Sequence, residues 1–107
     1  MPSHHRACAR RAVTLRADSA TAQGTAFLGT VRNLSLQGMY LESVGRHGAP
    51  EMAPGDLITA AFTLPSGRPC KIQAAVVRRD HQGWGVQFRQ VLPQGLTNLY
   101  RYWAALE

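Results

Sequence analysis

The sequence predicts an all-β domain with a C-terminal helix: a six-stranded antiparallel β-barrel capped by an α-helix. Three observations carry this. Six short segments alternate apolar and polar residues at period two, so each is half-buried. Clusters of Gly, Pro, Asn, Asp and Ser separate them at short, regular intervals, the pattern of a closed barrel or small sandwich. The last segment abandons period two for a three-to-four spacing, which is helical.

In chain order, residues 1–11 ("MPSHHRACARR") show no apolar periodicity and read as a flexible basic arm. "AVTLRA" (12–17) is a first strand, with Val13 and Leu15 on one face, and "DSATAQG" (18–24) is a loop. "TAFLGTVRN" (25–33) is a second strand, with Phe27 and Val31 on one face, and "GMYLES" (38–43) is a third. A long loop over 44–56 contains the turn-forming Pro54-Gly55 pair. "LITAAFTL" (57–64) sets Ile58, Ala60, Phe62 and Leu64 against Thr59, Ala61 and Thr63, and "PSGRP" turns the chain. "CKIQAAVVRRD" (70–80) returns with Ile72, Ala74 and Val76 inward, and "WGVQF" (84–88) follows with Trp84, Val86 and Phe88 inward. Over 93–107, Leu96, Leu99, Tyr100, Trp103 and Leu106 form an apolar helical stripe suited to covering one barrel opening. The domain division is therefore an arm over 1–11, a barrel over 12–92 and a helix over 93–107, within one domain.

The totals agree. At 107 residues and 45% hydrophobic content the chain holds one core and is globular rather than disordered. No apolar run approaches the roughly 18 residues of a membrane span, and no apolar stretch follows the basic N-terminus as in a signal peptide. The expected location is the cytoplasm. Cys8 and Cys70 are then expected to be reduced thiols, with Cys70 in the core. The net charge is +6, carried by eleven Arg and a single Lys, Lys71. Arginine offers a planar fork matched to phosphate and to the Hoogsteen edge of guanine. A GC-rich genome produces the same bias, so position has to decide what the arginines do.

Position singles out "NLSLQG", Asn33 to Gly38. On an extended backbone alternate residues share a face, so Asn33 and Ser35 are expected to point one way and Leu34 and Leu36 the other, toward the core. Gly38 allows a positive φ or a close approach. The expected product is a small polar ledge, unless the two side chains only bond the local turn. Upstream, Arg6 and Arg10 are four apart. That spacing sets them on one side of a strand, roughly 13 Å apart at about 3.3 Å per residue, and on one face of a helix as well. Two guanidinium groups can thus close on one anionic ligand.

An RxxxR arm, a strand, an N-x-S-x-x-G turn and a β-barrel in that order resemble the PilZ domain family. "GWGVQF" (83–88) is similar to the family's late G-x-G-V-x-F strand, and "PGDLITAAFTLPSG" to its middle hairpin. The resemblance spans roughly residues 6–90. It implies a six-stranded barrel with a C-terminal helix, and binding of the bacterial second messenger cyclic di-GMP by Arg6, Arg10, Asn33, Ser35 and Gly38. His5 stands where many members carry a further Arg, and Arg11 is an extra cation beyond the motif; both are possible additional ligand contacts. The family takes either one nucleotide or an intercalated pair, and residues next to the motif influence which. An unidentified protein effector is the implied downstream partner, with no cofactor and no metal.

Other classes fit less well. There is no G-x-S-x-G elbow and no P-loop, the six carboxylates are scattered, and His4, His5, His47 and His81 lack metal-ligand spacing. The chain is not expected to be an enzyme. A nonspecific nucleic-acid barrel needs an outward row of aromatics for base stacking, whereas Phe27, Phe62, Trp84 and Phe88 fall on inward phases and Tyr40 alone is an outward candidate. A PilZ-like protein adaptor that binds no nucleotide is the remaining alternative.

Overall fold

The computed structural model of the chain describes residues 11–44, 50–91, 97–98 and 101–102. Its strands are β1 (Arg11–Thr21), β2 (Ala26–Leu34), β3 (Gly38–Ser43), β4 (Leu57–Thr63), β5 (Pro69–Arg79) and β6 (Gly83–Val91). They close into a barrel in the order β1-β2-β3-β6-β5-β4, with β4 pairing back onto β1. Every neighbouring pair is antiparallel. Closure gives every strand a neighbour on both sides.

The inward phase is filled as the alternation requires. Ile58, Ala60, Phe62 and Leu64 from β4 and the residue after it meet Ile72, Ala74 and Val76 from β5 and Trp84 and Val86 from β6. Ala17, Val31, Leu34, Met39 and Leu41 complete the core from β1, β2 and β3, together with Cys70. Phe27 packs edge-on against Trp84, with ring centroids 5.5 Å apart.

The expected loop over 18–24 is shorter than its composition suggests. Asp18, Ser19 and Ala20 belong to β1 and pair on both sides, with Leu28, Phe27 and Ala26 of β2 and with Ala61, Ala60 and Thr59 of β4. A closed barrel supplies ladder partners on both flanks, and this outweighs the weak strand propensity of Asp and Ser. The hydroxyl of Ser19 is buried and has no hydrogen-bond partner among the described residues. Arg11, expected as the last residue of the arm, already belongs to β1.

The remainder of the expected arm, with His5, Arg6 and Arg10, lies outside the described residues. So does most of the expected helix over 93–107. Within it Thr97, Asn98, Arg101 and Tyr102 are helical. Asn98 Nδ2 donates to the Pro69 carbonyl at 2.7 Å, and Tyr102 packs against the core.

Topology gives the barrel two chemically distinct ends. The start of β1, the β2–β3 turn, the β4–β5 turn and the end of β6 lie at one end, because Arg11 pairs with Leu34, Gly38 with Gln87, Thr63 with Pro69 and Ile72 with Val91. The long loop between β3 and β4 and the β5–β6 turn lie at the other.

Candidate functional site

The N-x-S-x-x-G segment forms the β2–β3 turn, and the turn is built around Ser35. The Ser35 hydroxyl donates to the Gly38 carbonyl at 3.1 Å and accepts from the backbone N–H of Gln37 and Gly38 at 3.1 and 3.0 Å. The Ser35 backbone N–H adds a bond to the same Gly38 carbonyl at 2.9 Å. One donor and two acceptor sites exhaust what a hydroxyl offers. Ser35 is buried, so it does not share the outward face of Asn33 as strand alternation would have it. The ladder ends at Leu34, and beyond it the side chain follows the turn.

Gly38 serves close approach rather than unusual backbone conformation. It is not among the residues with positive φ. A Cβ there would run into the carbonyl oxygen of Val86 on β6. The turn is also tied to β6 by the Phe88 N–H, which donates to the Gln37 carbonyl at 2.8 Å.

Asn33 reaches the outer surface through a β-bulge. Val31 pairs with Leu41 and Asn33 with Tyr40, which leaves Arg32 as the extra residue on β2. Strict alternation from Val31 would have turned Asn33 into the core. The bulge instead leaves Asn33 half-exposed and buries Leu34. A cleft of ≈ 480 Å³ opens over this bulge, lined by Ala12, Thr14, Arg32, Asn33, Tyr40 and Glu42 among others. Arg32 and Glu42 form an exposed ion pair across it at 3.4 Å.

Tyr40 stands at the centre of this face. Its hydroxyl donates to Asp80 Oδ1 at 2.7 Å. The same carboxylate oxygen accepts the backbone N–H of Gln82 and Gly83, at 2.8 and 2.9 Å, and so organises the β5–β6 turn. Desolvation, then the bond to Asp80, push the Tyr40 phenol up to about 12. The bond from Tyr40 and that from Gln82 hold Asp80 below the usual carboxylate range. A second cleft, ≈ 330 Å³, shares Tyr40 and runs over Ser35, Gly38, Arg78, Gly85 and Gln87.

A cavity of ≈ 860 Å³ lies toward the opposite end, between the β5–β6 turn and the β3–β4 loop. Its charged lining is Glu42, Glu51 and Asp80 against Arg79, with His81 beside them.

Arg11 pairs with Leu34 and Ala12 with Asn33, so β1 begins alongside the N-x-S-x-x-G turn. The sequence model of the PilZ domain family matches residues 3–105. The chain belongs to the PilZ domain family. Solved structures agree on the barrel. A "PilZ domain of CeSA from cellulose synthesizing bacterium" superposes with a TM-score of 0.70 at 16% identity, over 92% of this chain and 97% of that one. The "Bacillus subtilis Inhibitor of motility (MotI/DgrA)" superposes with a TM-score of 0.70 at 13% identity, over 91% of this chain. This PilZ chain spans 48% of that protein's length. At these identities the likeness concerns the fold. No curated protein matches the sequence.

Among the expected site residues, the structure therefore brings Asn33, Ser35 and Gly38 to one end of the PilZ barrel. It adds Tyr40, Arg78 and Gly85 around them. Tyr40 was visible in the sequence as the outward aromatic; Arg78 and Gly85 were not, because their place depends on register between strands distant in sequence. Among the described residues no candidate metal centre occurs, and no helix is long and apolar enough to cross a membrane.

Proposed function

We propose that this PilZ domain is a cyclic di-GMP receptor that passes its signal to a separate protein. The observation that supports the reading is the β1–β2 register, which starts β1, the strand that follows RxxxR in sequence, beside the turn bearing Asn33, Ser35 and Gly38. In this reading Arg6 and Arg10 neutralise the phosphates, fork onto guanine O6 and N7 and stack on the purine face. Asn33 meets a guanine edge from the barrel wall. Ser35 acts by holding the turn in shape, and Gly38 by letting β3 and β6 approach. His5 and Arg11 are additional candidate contacts, and His5 bears on whether one nucleotide or an intercalated pair is bound. A charge-assisted hydrogen bond contributes about 1.5–3 kcal/mol, and micromolar affinity needs about 8 kcal/mol. Two arginines, a polar ledge and stacking are of that size. No cofactor is required by this chemistry.

The arm over 1–11 is proposed to fold onto the nucleotide and so alter the surface offered to the effector. PilZ domains act typically as binding and adaptor modules rather than as enzymes, in keeping with this role.

The test is a calorimetric titration of cyclic di-GMP at moderate salt, with GMP as control, on wild type and Arg10→Ala. Micromolar or tighter binding, absent with GMP and weakened at least about tenfold in the variant (about 1.4 kcal/mol), supports the receptor. Binding of long single-stranded DNA with steep salt dependence, and of cyclic di-GMP no better than GMP, points to the nucleic-acid barrel instead. No heat with any nucleotide leaves the protein adaptor. Limited proteolysis tests the arm: cleavage before residue 11 should slow at saturating ligand, and unchanged cleavage in a protein that binds removes the switch.

A further inference from the structure

The outer face carries one lateral row that runs through the motif and past it. Ala12 on β1 pairs with Asn33 on β2, Asn33 with Tyr40 on β3, Tyr40 with Gly85 on β6, and Gly85 with Arg78 on β5. Paired residues share a face, so these side chains stand in line across five strands. At about 4.8 Å per strand, Arg78 is roughly 14 Å from Asn33 along the surface.

Two positions of the row, Asn33 and Arg78, depend on a bulge. Arg32 is the extra residue that turns Asn33 outward. On β5, Val76 pairs with Val86 and Arg78 with Gly85, which makes Val77 the extra residue. Ala74 and Val76 face the core, and alternation would have sent Arg78 after them. The bulge resets the phase and exposes Arg78, with Val77 beside it 50% exposed. Bulges that re-aim a side chain are over-represented next to functional sites.

Gly85 gives Arg78 its seat. A Cβ at Gly85 would lie 2.8 Å from Arg78 Nε and 2.9 Å from its Cγ. The arginine therefore lies down on bare backbone, with the start of its guanidinium plane over the space a side chain would occupy. Tyr40 stands on the next strand of the row, held upright by Asp80. Among the described residues Arg78 has no ion-pair partner. A planar cation spread on the sheet, flanked by a fixed aromatic ring and continuous with the Asn33 cleft, suits one kind of ligand group: a flat, electron-rich heterocycle.

We infer that Arg78, seated on Gly85 beside Tyr40, is a third arginine of the nucleotide site, on whose guanidinium a purine base of the bound dinucleotide stacks. The inference rests on the receptor reading above, and it assigns a base contact outside both sequence motifs. It explains why the ≈ 330 Å³ cleft runs from Ser35 and Gly38 to Arg78 rather than stopping at the turn.

The experiment is calorimetric titration of cyclic di-GMP into wild type, Arg10→Ala, Arg78→Ala, Arg78→Lys, Gly85→Ala and the Arg78→Ala/Gly85→Ala double variant, each checked for folding by thermal melting. Arg78→Ala should lose at least tenfold in affinity. Arg78→Lys, which keeps the charge but not the plane, should lose nearly as much. Gly85→Ala removes no ligand contact but evicts Arg78, so it should weaken binding as well, and the double variant should be no worse than Arg78→Ala. Should Gly85→Ala fail to fold, the comparison of Ala with Lys at 78 still decides. Wild-type affinity in Arg78→Ala, or full rescue by Lys, overturns the stacking contact while leaving the receptor intact if Arg10→Ala loses binding. No binding by wild type overturns the receptor reading, and this one with it.

Discussion

Replacing Ser35 by Ala removes the group around which the β2–β3 turn is organised, and the structure sets the expected cost. Three hydrogen bonds are lost: two from the Gln37 and Gly38 N–H groups and one to the Gly38 carbonyl. They are not equal. The Gly38 carbonyl keeps its bond from the Ser35 backbone N–H. Gln37 is exposed, so water can take over its N–H. Gly38 is packed under the Val86 carbonyl, where replacement by water is hardest. Each net hydrogen bond is worth about 0.5–1.5 kcal/mol, and serine caps of comparable geometry cost about 0.5–2 kcal/mol when removed. The expected loss is therefore about 1–2 kcal/mol. In a urea titration, with a slope of about 1–2 kcal/mol/M for a domain of this size, the midpoint should fall by about 1 M with the slope unchanged. Nucleotide affinity should fall too, because the turn that carries Gly38 and follows Asn33 loses its shape. A variant with the wild-type midpoint that still binds less ligand refutes this reasoning: Ser35 would then touch the nucleotide instead of holding the turn.

Three further outcomes are expected. Gly38→Val pushes a Cβ into the Val86 carbonyl, backbone that cannot step aside, and should cost about 1–3 kcal/mol by urea unfolding; a neutral result would show that β3 and β6 can separate there. Ser19→Ala removes a buried hydroxyl without a partner and should leave stability unchanged or raise it by up to about 1 kcal/mol, since no hydrogen bond is lost and a desolvated polar group is gone; a clear destabilisation would mean that the hydroxyl is bonded in solution. Tyr40 should ionise near pH 12 in the folded protein, above the usual value of about 10, so its stabilising bond is fully present below pH 10 and lost as pH rises from 10 toward 12. Asp80 has the opposite sign: its depressed value adds stability above about pH 4 that fades as pH falls. Tyr40→Phe should remove the highest-pH step from the ultraviolet tyrosine titration, and a titration identical to wild type would place that step on another tyrosine.

The strands were legible because their sequence reports a local quantity, the period-two alternation between core and solvent. The stretch over 38–43 was read with its observed bounds, and β4 and β5 to within one residue at each end. Three places resisted. "WGVQF" (84–88) stops short of β6, which runs on to Val91 through polar residues paired with β5. "DSATAQG" reads as a loop because its residues favour turns, yet four of them form β1, since a closed barrel offers ladder partners on both sides. In β2, Val31 and Leu34 both read as inward, though they are three apart and cannot share a face of a regular strand. That conflict was the trace of the Arg32 bulge, visible in the pattern but interpretable only with the β3 register in hand.

Alternation and turn spacing by themselves determined the six-stranded antiparallel barrel, the order of its strands along the chain and the core residues of β4, β5 and β6, and the resemblance carried by the motifs pointed to the family to which the chain belongs. These depend on neighbours in sequence, or on which side of one strand faces water. Tertiary structure alone decided that Ser35 turns inward to fill its own turn, that Gly38 is needed for a backbone approach from β6, and that Arg78 shares a row with Asn33. Each of these depends on register between strands far apart in the chain. Register is fixed by the global closure of the barrel and by the bulges along its ladders, and a shift of one residue would turn every one of those side chains to the other face.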